Sequence, residues 1–308
     1  MNDRLETLRE DEETTVTRLS NATGEFFRTR HHLFPGVDLV YNDAHIQSCG
    51  PIPSGSSRVL EIDHCKEGRL EREWGERYVY LSPGDLSISR RTEADDRLWF
   101  PTNHYHGISL LVDVDASPPC MSCFLEDVDV RPASLERKFC GKEPWFVARE
   151  RPCFQHIFSE MYAVPEAIRK GYLKVKVLEL MLFLSGMDPA EAEHPRFSKA
   201  QVDLAKRASR YLCAHLDEKV TIQELARMLK VSPTLLKTSF RGVYGMPLYA
   251  YVRTMKMQAA AQMLRGYGGT ILQVAETYGY ENGSKFAKAF RDVMGVEPSA
   301  YRDGSVAF

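Results

Sequence analysis

The chain has 308 residues, 44% hydrophobic and 27% charged, with a formal net charge of −2. That composition suits a globular protein long enough for two cores, and it excludes a collagen-like or intrinsically disordered chain. The near-neutral total conceals an asymmetry: residues 201–308 carry 15 Lys+Arg against 9 Asp+Glu, whereas residues 1–200 carry 25 against 33. A basic C-terminal third on an acidic remainder points to an anionic polymer as the partner of that third alone.

The opening MNDRLETLREDEETTVTRL has neither the basic nor the apolar region of a signal peptide. The greasiest run, Val175–Met187, is too short to span a bilayer and contains Glu179. Seven Cys, an odd number spread along the chain, read as reduced thiols. The expectation is a cytoplasmic protein with no membrane partner. Residues 1–30 are polar and charged and read as a frayed helix or an arm. From about 36 to 130, Gly, Pro, Asn and Asp punctuate short runs of period-two character such as SRVLEIDHC, RYVYLS and HGISLLVDV. Several short strands with regular turn signals indicate an all-β barrel or sandwich.

Residues 154–186 switch to helical spacing. Phe158, Met161, Tyr162, Ile168, Tyr172, Val175, Leu178, Leu182 and Phe183 recur at threes and fours, and Pro165 marks a break. Two helices are expected, packed on the barrel or on a second copy of the chain. The stretch 187–200, with two Pro and mixed charges, is the linker candidate. The division is thus 1–186, linker, and an all-helical 201–308, an α+β chain.

The C-terminal third holds an internal duplication, 221–245 and 270–295. Thr221, Ile222, Leu225, Ala226 and Val231 recur 49 residues later as Thr270, Ile271, Val274, Ala275 and Tyr280. After a turn one residue longer, Leu236, Phe240, Arg241 and Gly245 recur as Phe286, Phe290, Arg291 and Gly295. Each copy is punctuated as helix–turn–helix. Thr221 with Glu224, and Thr270 with Gln273, have capping-box spacing. Ser232-Pro233 supplies an N-cap and an N1 proline, and Asn282 or Ser284 caps the matching helix. Gly279 permits a turn, and Gly245 and Gly295 are stops. The small Ala226 and Ala275 let two steeply crossing helices approach.

In the second helix of each copy, Leu236, Phe240 and Val243, and again Phe286, Phe290 and Val293, point inward. The outward sets are Thr234, Lys237, Thr238 and Arg241, then Ser284, Lys285, Lys288 and Arg291. Hydroxyls and cations are what phosphate oxygens and major-groove acceptors need. Between the copies, Tyr251, Met255, Ala259 and Met263 form an i+4 stripe on one helix of about twenty residues, roughly 30 Å long. Successive major grooves on one DNA face lie about 34 Å apart. A single cationic helix is ordinarily just a solvated face; two copies with matching caps, turns and polarity argue for a nucleic-acid interface.

At these residues, about Lys199 to Arg302, the chain resembles the AraC/XylS family of transcription regulators. TIQELARMLKVSPTLLKTSFRGVYG, the helix with YVRTMKMQAA, and VAETYGYENGSKFAKAFRDVMGVEPSAYR carry the match. The resemblance implies a seven-helix bundle with two helix-turn-helix motifs, whose reading helices are Pro233–Val243 and Ser284–Val293 and which binds double-stranded DNA. It places Thr234, Lys237, Thr238, Arg241, Ser284, Lys285 and Lys288 toward bases, with Gly283 offering only backbone. The N-terminal half looks like the cupin-type barrel such regulators carry, with a small-molecule effector inside, and YLKVKVLELMLFLSGM like their dimerisation helix. A homodimer is implied, and family prevalence favours an activator, which would contact RNA polymerase.

Within the barrel the candidate ligand residues are His64, Arg69, Glu71, Trp74, Tyr80, His104 and His106. His104 and His106 share a strand face, as the ligands of metal-binding cupins do, but no Glu follows at that family's spacing and no metal is assigned. Cys120 and Cys123 form a lone C-x-x-C and are read as plain thiols. With no nucleophile elbow, phosphate loop or dinucleotide fingerprint, no catalytic residue or cofactor is assigned. Two rival readings remain: a metal-dependent cupin enzyme fused to a DNA-binding domain, and a regulator whose barrel only dimerises.

Overall fold

The computed structural model describes residues 3–52, 56–74, 77–91, 97–123, 125, 127–189, 197–266 and 269–303, and divides into two units, Met1–Arg196 and Phe197–Phe308. The division into a sheet-rich first part and a helical second part is as expected. Residues 190–196 of the linker candidate lie outside the described residues.

The first unit is built from β1 (Arg4–Glu10), β2 (Thr14–Asn21), β3 (Gly24–Phe34), β4 (Val37–His45), β5 (Ser48–Cys49), β6 (Val59–Gly68), β7 (Leu70–Trp74), β8 (Arg77–Leu81), β9 (Leu86–Arg91), β10 (Leu98–Trp99) and β11 (Tyr105–Asp113), followed by α1 (Pro132–Cys140), β12 (Trp145–Ala148), α2 (Pro152–Tyr162) and α3 (Arg169–Gly186). One sheet runs β1-β2-β3-β4-β11-β6-β9-β12; β8-β7-β10-β5 belong to a second. The first sheet is apolar toward the helices, while its other covered face mixes apolar residues with buried charged and polar ones. Toward the helices, Leu33, Val37, Leu39, Leu60, Ile62, Ile108 and Leu110 pack on Phe154, Ile157, Phe158, Leu173, Val177, Leu180 and Leu184. The opposite face meets the second sheet through Phe26, Ala44, Cys65, Leu70, Leu81, Phe100 and Tyr105.

The N-terminal residues are not a helix or an arm: the sheet starts at Arg4, not near 36. The loop before β2 is an Asx turn in which Asp11 Oδ1 accepts from Glu13 N and Thr14 N at 3.0 and 2.8 Å. β1 is almost wholly exposed and β2 half-covered, so solvent wets faces that elsewhere alternate with apolar residues. Cross-strand pairs such as Arg18 with Glu25 replace the hydrophobic period that would have announced the strands. α1 and β12 were likewise not expected; β12 extends the first sheet against β9.

α3 carries two apolar faces. Leu173, Val177, Leu180, Met181 and Leu184 form the face on the sheet. The residues picked out by spacing, Val175, Leu182 and Phe183, instead lie on the opposite face and are 62%, 47% and 46% exposed. A periodicity count sees one greasy helix and cannot rank its two faces.

The second unit is helical: α4 (Lys199–Ala214), α5 (Ile222–Met228), α6 (Pro233–Tyr244), α7 (Leu248–Gly266), α8 (Ile271–Thr277), α9 (Gly283–Met294) and α10 (Pro298–Arg302). α7 joins two half-bundles. Its N-terminal part meets α4 and α6: Tyr251 touches the Phe240 and Tyr244 rings, and its hydroxyl is 2.7 Å from Ser209 Oγ. Its C-terminal part packs Met257, Ala260, Ala261 and Leu264 on Val274, Ala275, Phe286 and Phe290. The expected i+4 stripe is therefore corrected: Tyr251 and Met255 are buried, but Ala259 and Met263 are only half-buried. A helix clasped from two directions buries changing faces along its length rather than one stripe.

Candidate nucleic-acid interface

The two helix–turn–helix copies are built by the same local chemistry. Both capping boxes form: Thr221 Oγ1 accepts from Glu224 N while Glu224 Oε2 accepts from Thr221 N, and Thr270 and Gln273 do the same. Both first helices end alike. Val231 N donates to Ala226 O and Tyr280 N to Ala275 O, each at 3.0 Å, around a left-handed residue, Lys230 at φ 57° and Gly279 at φ 77°. Ala226 and Ala275 are buried, as a close crossing requires. Ser232 caps α6 through Leu235 N at 3.2 Å, and Asn282 rather than Ser284 caps α9, accepting from Ser284 N and Lys285 N. Gly245 and Gly295, both at φ 75°, close the helices.

These caps fix the rotation of α6 and α9. Leu236, Phe240, Val243, Phe286 and Phe290 are fully buried and Val293 partly so. Thr234, Lys237, Thr238 and Arg241 on α6, and Ser284, Lys285, Lys288 and Arg291 on α9, are all exposed. Two of these groups are partly committed. Thr238 Oγ1 donates to Thr234 O at 2.9 Å, leaving its oxygen an acceptor. Arg291 Nη1 pairs with Glu297 Oε1 at 2.6 Å, which draws it toward the C-terminal end of α9. Spacing alone showed neither commitment. Lys256, on α7, is structural: its ammonium donates to Tyr278 O at 2.9 Å, and burial lowers its pKa.

The residues expected to line the barrel are scattered. Arg69, Glu71 and Tyr80 cluster, Tyr80 OH donating to Glu71 Oε2 at 2.6 Å and the Arg69 guanidinium lying 5.1 Å from the Tyr80 ring. They sit on the face of β7–β8 opposite Leu70, Arg72, Val79 and Leu81, so they point away from the space between the sheets. The Trp74 side chain lies outside the described residues. His64 faces the helices, stacked at 4.1 Å and 7° on Phe158, and burial pushes its pKa down to about 4. His104 and His106 lie at the rim of the first sheet, on the same side as the helices.

What lines the intersheet space is a charged network missed from sequence. Arg72 bonds Glu61 at 2.8 Å and Asp63 at 3.1 Å; Ser109 donates to Asp63; Arg28 Nε donates to Asn42 Oδ1 at 3.1 Å; and Asn42 donates to Ser109 at 2.7 Å. Burial, with the Glu61 charge beside it, raises Asp63 to about 6, and burial lowers Arg28 to about 10. The phase of β6 and β7 decides this: Glu61 and Asp63 alternate with the apolar Leu60 and Ile62, a signal present in SRVLEIDHC but readable either way without knowing which sheet face is inside. The space left around this network is ≈ 20 Å³, room for about one water, with a second small cavity of ≈ 40 Å³ beside Arg72, Val79, Leu81, Ser87 and Ser89. A larger concavity, ≈ 910 Å³, lies between β1–β3 and the start of α3.

Residues 225–304 match a family described as a helix-turn-helix domain. Over 169 residues, 55% of this chain and 55% of the relative, the protein is 28% identical to the uncharacterized HTH-type transcriptional regulator YisR of Bacillus subtilis (strain 168). Over 97 residues it is 30% identical to a putative AraC-like transcription regulator of Streptomyces lividans, covering 31% of this chain and 32% of that one. The chain thus spans about half or less of the length of these relatives. Among solved structures, the C-terminal domain of AraT, a response regulator from Geobacillus stearothermophilus, is similar at 28% identity over 34% of this chain and 88% of that one, with a TM-score of 0.32. The C-terminal unit of this chain carries a helix-turn-helix domain of the AraC type.

Proposed function

We propose that the protein is a sequence-specific DNA-binding transcription regulator, non-enzymatic and cytoplasmic, whose sheet unit is a cupin-like effector module. The observation that carries the reading is the duplicated pair of exposed faces on α6 and α9, each fixed by a side-chain N-cap and a left-handed glycine stop and each presenting hydroxyls and cations. α7, with 19 residues, is about 28 Å long by helical rise, close to the spacing of successive major grooves on one duplex face. Lys237, Lys285 and Lys288 supply salt-dependent phosphate affinity; Thr234, Thr238, Arg241 and Ser284 tune base choice.

The charged interior of the sheet unit supports a small polar effector, recognised by exchange with the Arg72, Glu61, Asp63 and Ser109 partners. With so little space there, such a molecule enters only with displacement of these side chains, the kind of change that can bias the helical unit. The exposed Val175, Leu182 and Phe183 stripe on α3 supports a homodimer through that helix. Activation has the support of one relative's name, the HTH-type transcriptional activator AarP of Providencia stuartii, 28% identical over 88 residues, and would entail contact with RNA polymerase. No helix among the described residues is long and apolar enough to cross a membrane.

The direct test is the Lys285→Ala, Lys288→Ala double variant on duplexes selected by the wild-type protein from a random pool. Affinity should fall, the slope of log K against log salt should shrink by about two, and the melting temperature should stay put. Unchanged affinity would remove α9 from the interface.

A further inference from the structure

We propose that His45, His104 and His106, with Asp43, form a binding site for a single divalent first-row transition-metal ion of the zinc class. The site follows from strand register. β4 and β11 pair antiparallel with His106 opposite Asp43 and Tyr105 opposite Ala44, which sets His104 beside His45. The two-residue period then places Asp43, His45, His104 and His106 on one face of the sheet. A bulge in β6, where His106 opposes Glu67 but Gly107 opposes Cys65, brings Glu67 to the other side of the same cluster.

Donor atoms of the three imidazoles all lie within 4.8 Å of one another. Asp43 Oδ1 is 2.9 Å from His106 Nε2 and 3.1 Å from His45 Nε2. Ligands about 2.0–2.2 Å from a tetrahedral zinc ion stand a little over 3 Å apart, so Asp43 is already at ligand spacing from two rings. His106 Nε2 is buried and its approach to Asp43 is not aligned as a hydrogen bond, leaving that nitrogen without one. The rings also contact each other, His45–His104 at 5.1 Å, His45–His106 at 5.4 Å and His104–His106 at 4.5 Å between centroids. Three neighbouring imidazoles that share one carboxylate are mutually repulsive when protonated and mutually useful to a cation. Glu67 Oε2, 3.6 Å from His104 and 3.7 Å from His106, supplies a second negative charge beside the ion.

Three imidazoles and one carboxylate suit zinc, cobalt or nickel rather than magnesium or calcium. The site faces away from the charged network between the sheets, and a bound ion would clip the rim of β4 to β11. It goes beyond the regulator reading and does not depend on it.

The test uses the tag-free full chain, stripped of metal and titrated with cobalt(II), then zinc. The wild type should take one cobalt per chain with the d–d absorption of a four-coordinate nitrogen–oxygen site. Zinc should displace the cobalt and raise the melting temperature. His45→Ala with His106→Ala should abolish the spectrum, and His104→Gln and Asp43→Asn should each weaken binding about 10-fold or more. Cys120→Ser with Cys123→Ser should bind as wild type. Melting temperatures in chelator report whether each variant is folded. A sulfur-to-cobalt charge-transfer band, cobalt retained by the double histidine variant, or no stoichiometric uptake would each overturn the proposal.

Discussion

At the residue scale, the turns of the two helix–turn–helix copies pose the same conformational demand and answer it differently. Lys230 and Gly279 occupy equivalent left-handed positions, at φ 57° and 77°. A side chain there costs about 1–2 kcal/mol. A Cβ on Gly279 would meet nothing closer than 3.7 Å, so the penalty for Gly279→Ala is conformational, not steric. Lys230→Gly is expected to stabilise the helical unit by up to about 1 kcal/mol, and Gly279→Ala to destabilise it by a similar amount. Urea unfolding followed by far-ultraviolet circular dichroism checks both, and equal effects of the same sign would refute the assignment.

His64 gives a pH prediction. Its folded pKa is held near 4 by burial, against a usual value near 6.5. The unfolded chain therefore binds more protons between those values, so stability is full above about pH 6.5, declines as pH falls and levels off below about 4. The whole term is on the order of 3 kcal/mol. All three Trp, at 74, 99 and 145, lie in the sheet unit, so their fluorescence reports that unit. His64→Leu should unfold with less dependence on pH between 4 and 6.5 than the wild type; parallel profiles would contradict the burial account.

At the element scale, legibility in the sequence tracked whether an element has one apolar face. α5, α6, α8 and α9 were readable because caps, left-handed stops and a single buried stripe all agree, and Asn282, Gly245 and Gly295 act as their chemistry suggests. β1–β3 were not readable, because their polar faces are wet and their order comes from cross-strand pairing. α3 and α7 were recognised as helices but their faces were misjudged, since each is apolar on more than one side. Which residues face the space between the sheets was hidden for a related reason: Arg69, Glu71 and Tyr80 do share a face, but only sheet packing shows that Arg72, Glu61 and Asp63 point inward instead. His45 was missed because it lies 59 residues from His104 in the chain, and only the β4–β11 register joins them.

Two element-level outcomes follow. Asn282→Ala should cost about 1 kcal/mol by removing the α9 cap, whereas Ser284→Ala should leave stability alone and alter DNA affinity. Leu182→Asp with Phe183→Asp changes exposed positions only, so the sheet unit should remain folded while a dimer through α3 dissociates in sedimentation. A dimer that survives the change places its interface elsewhere.

For the whole molecule, the charge asymmetry of the sequence has a physical location. The basic third folds as a separate unit whose two cationic helices are turned outward by equivalent N-caps and left-handed glycine stops, while the acidic part folds around an apolar core between sheet and helices and a charged network between its two sheets. Both halves of the helical unit grip one continuous α7, which makes the separation of α6 and α9 a property of a rigid helix and not of a loop. The central claim is that this spacing lets both faces read one duplex in successive major grooves. Hydroxyl-radical footprinting on a selected duplex tests it most directly. Wild-type protein should protect two patches about one helical turn, 10–10.5 base pairs, apart on one face. Lys237→Ala with Arg241→Ala should erase one patch, and Lys285→Ala with Lys288→Ala the other. A single patch, or two patches that both vanish with either pair of substitutions while the protein stays bound, would contradict it.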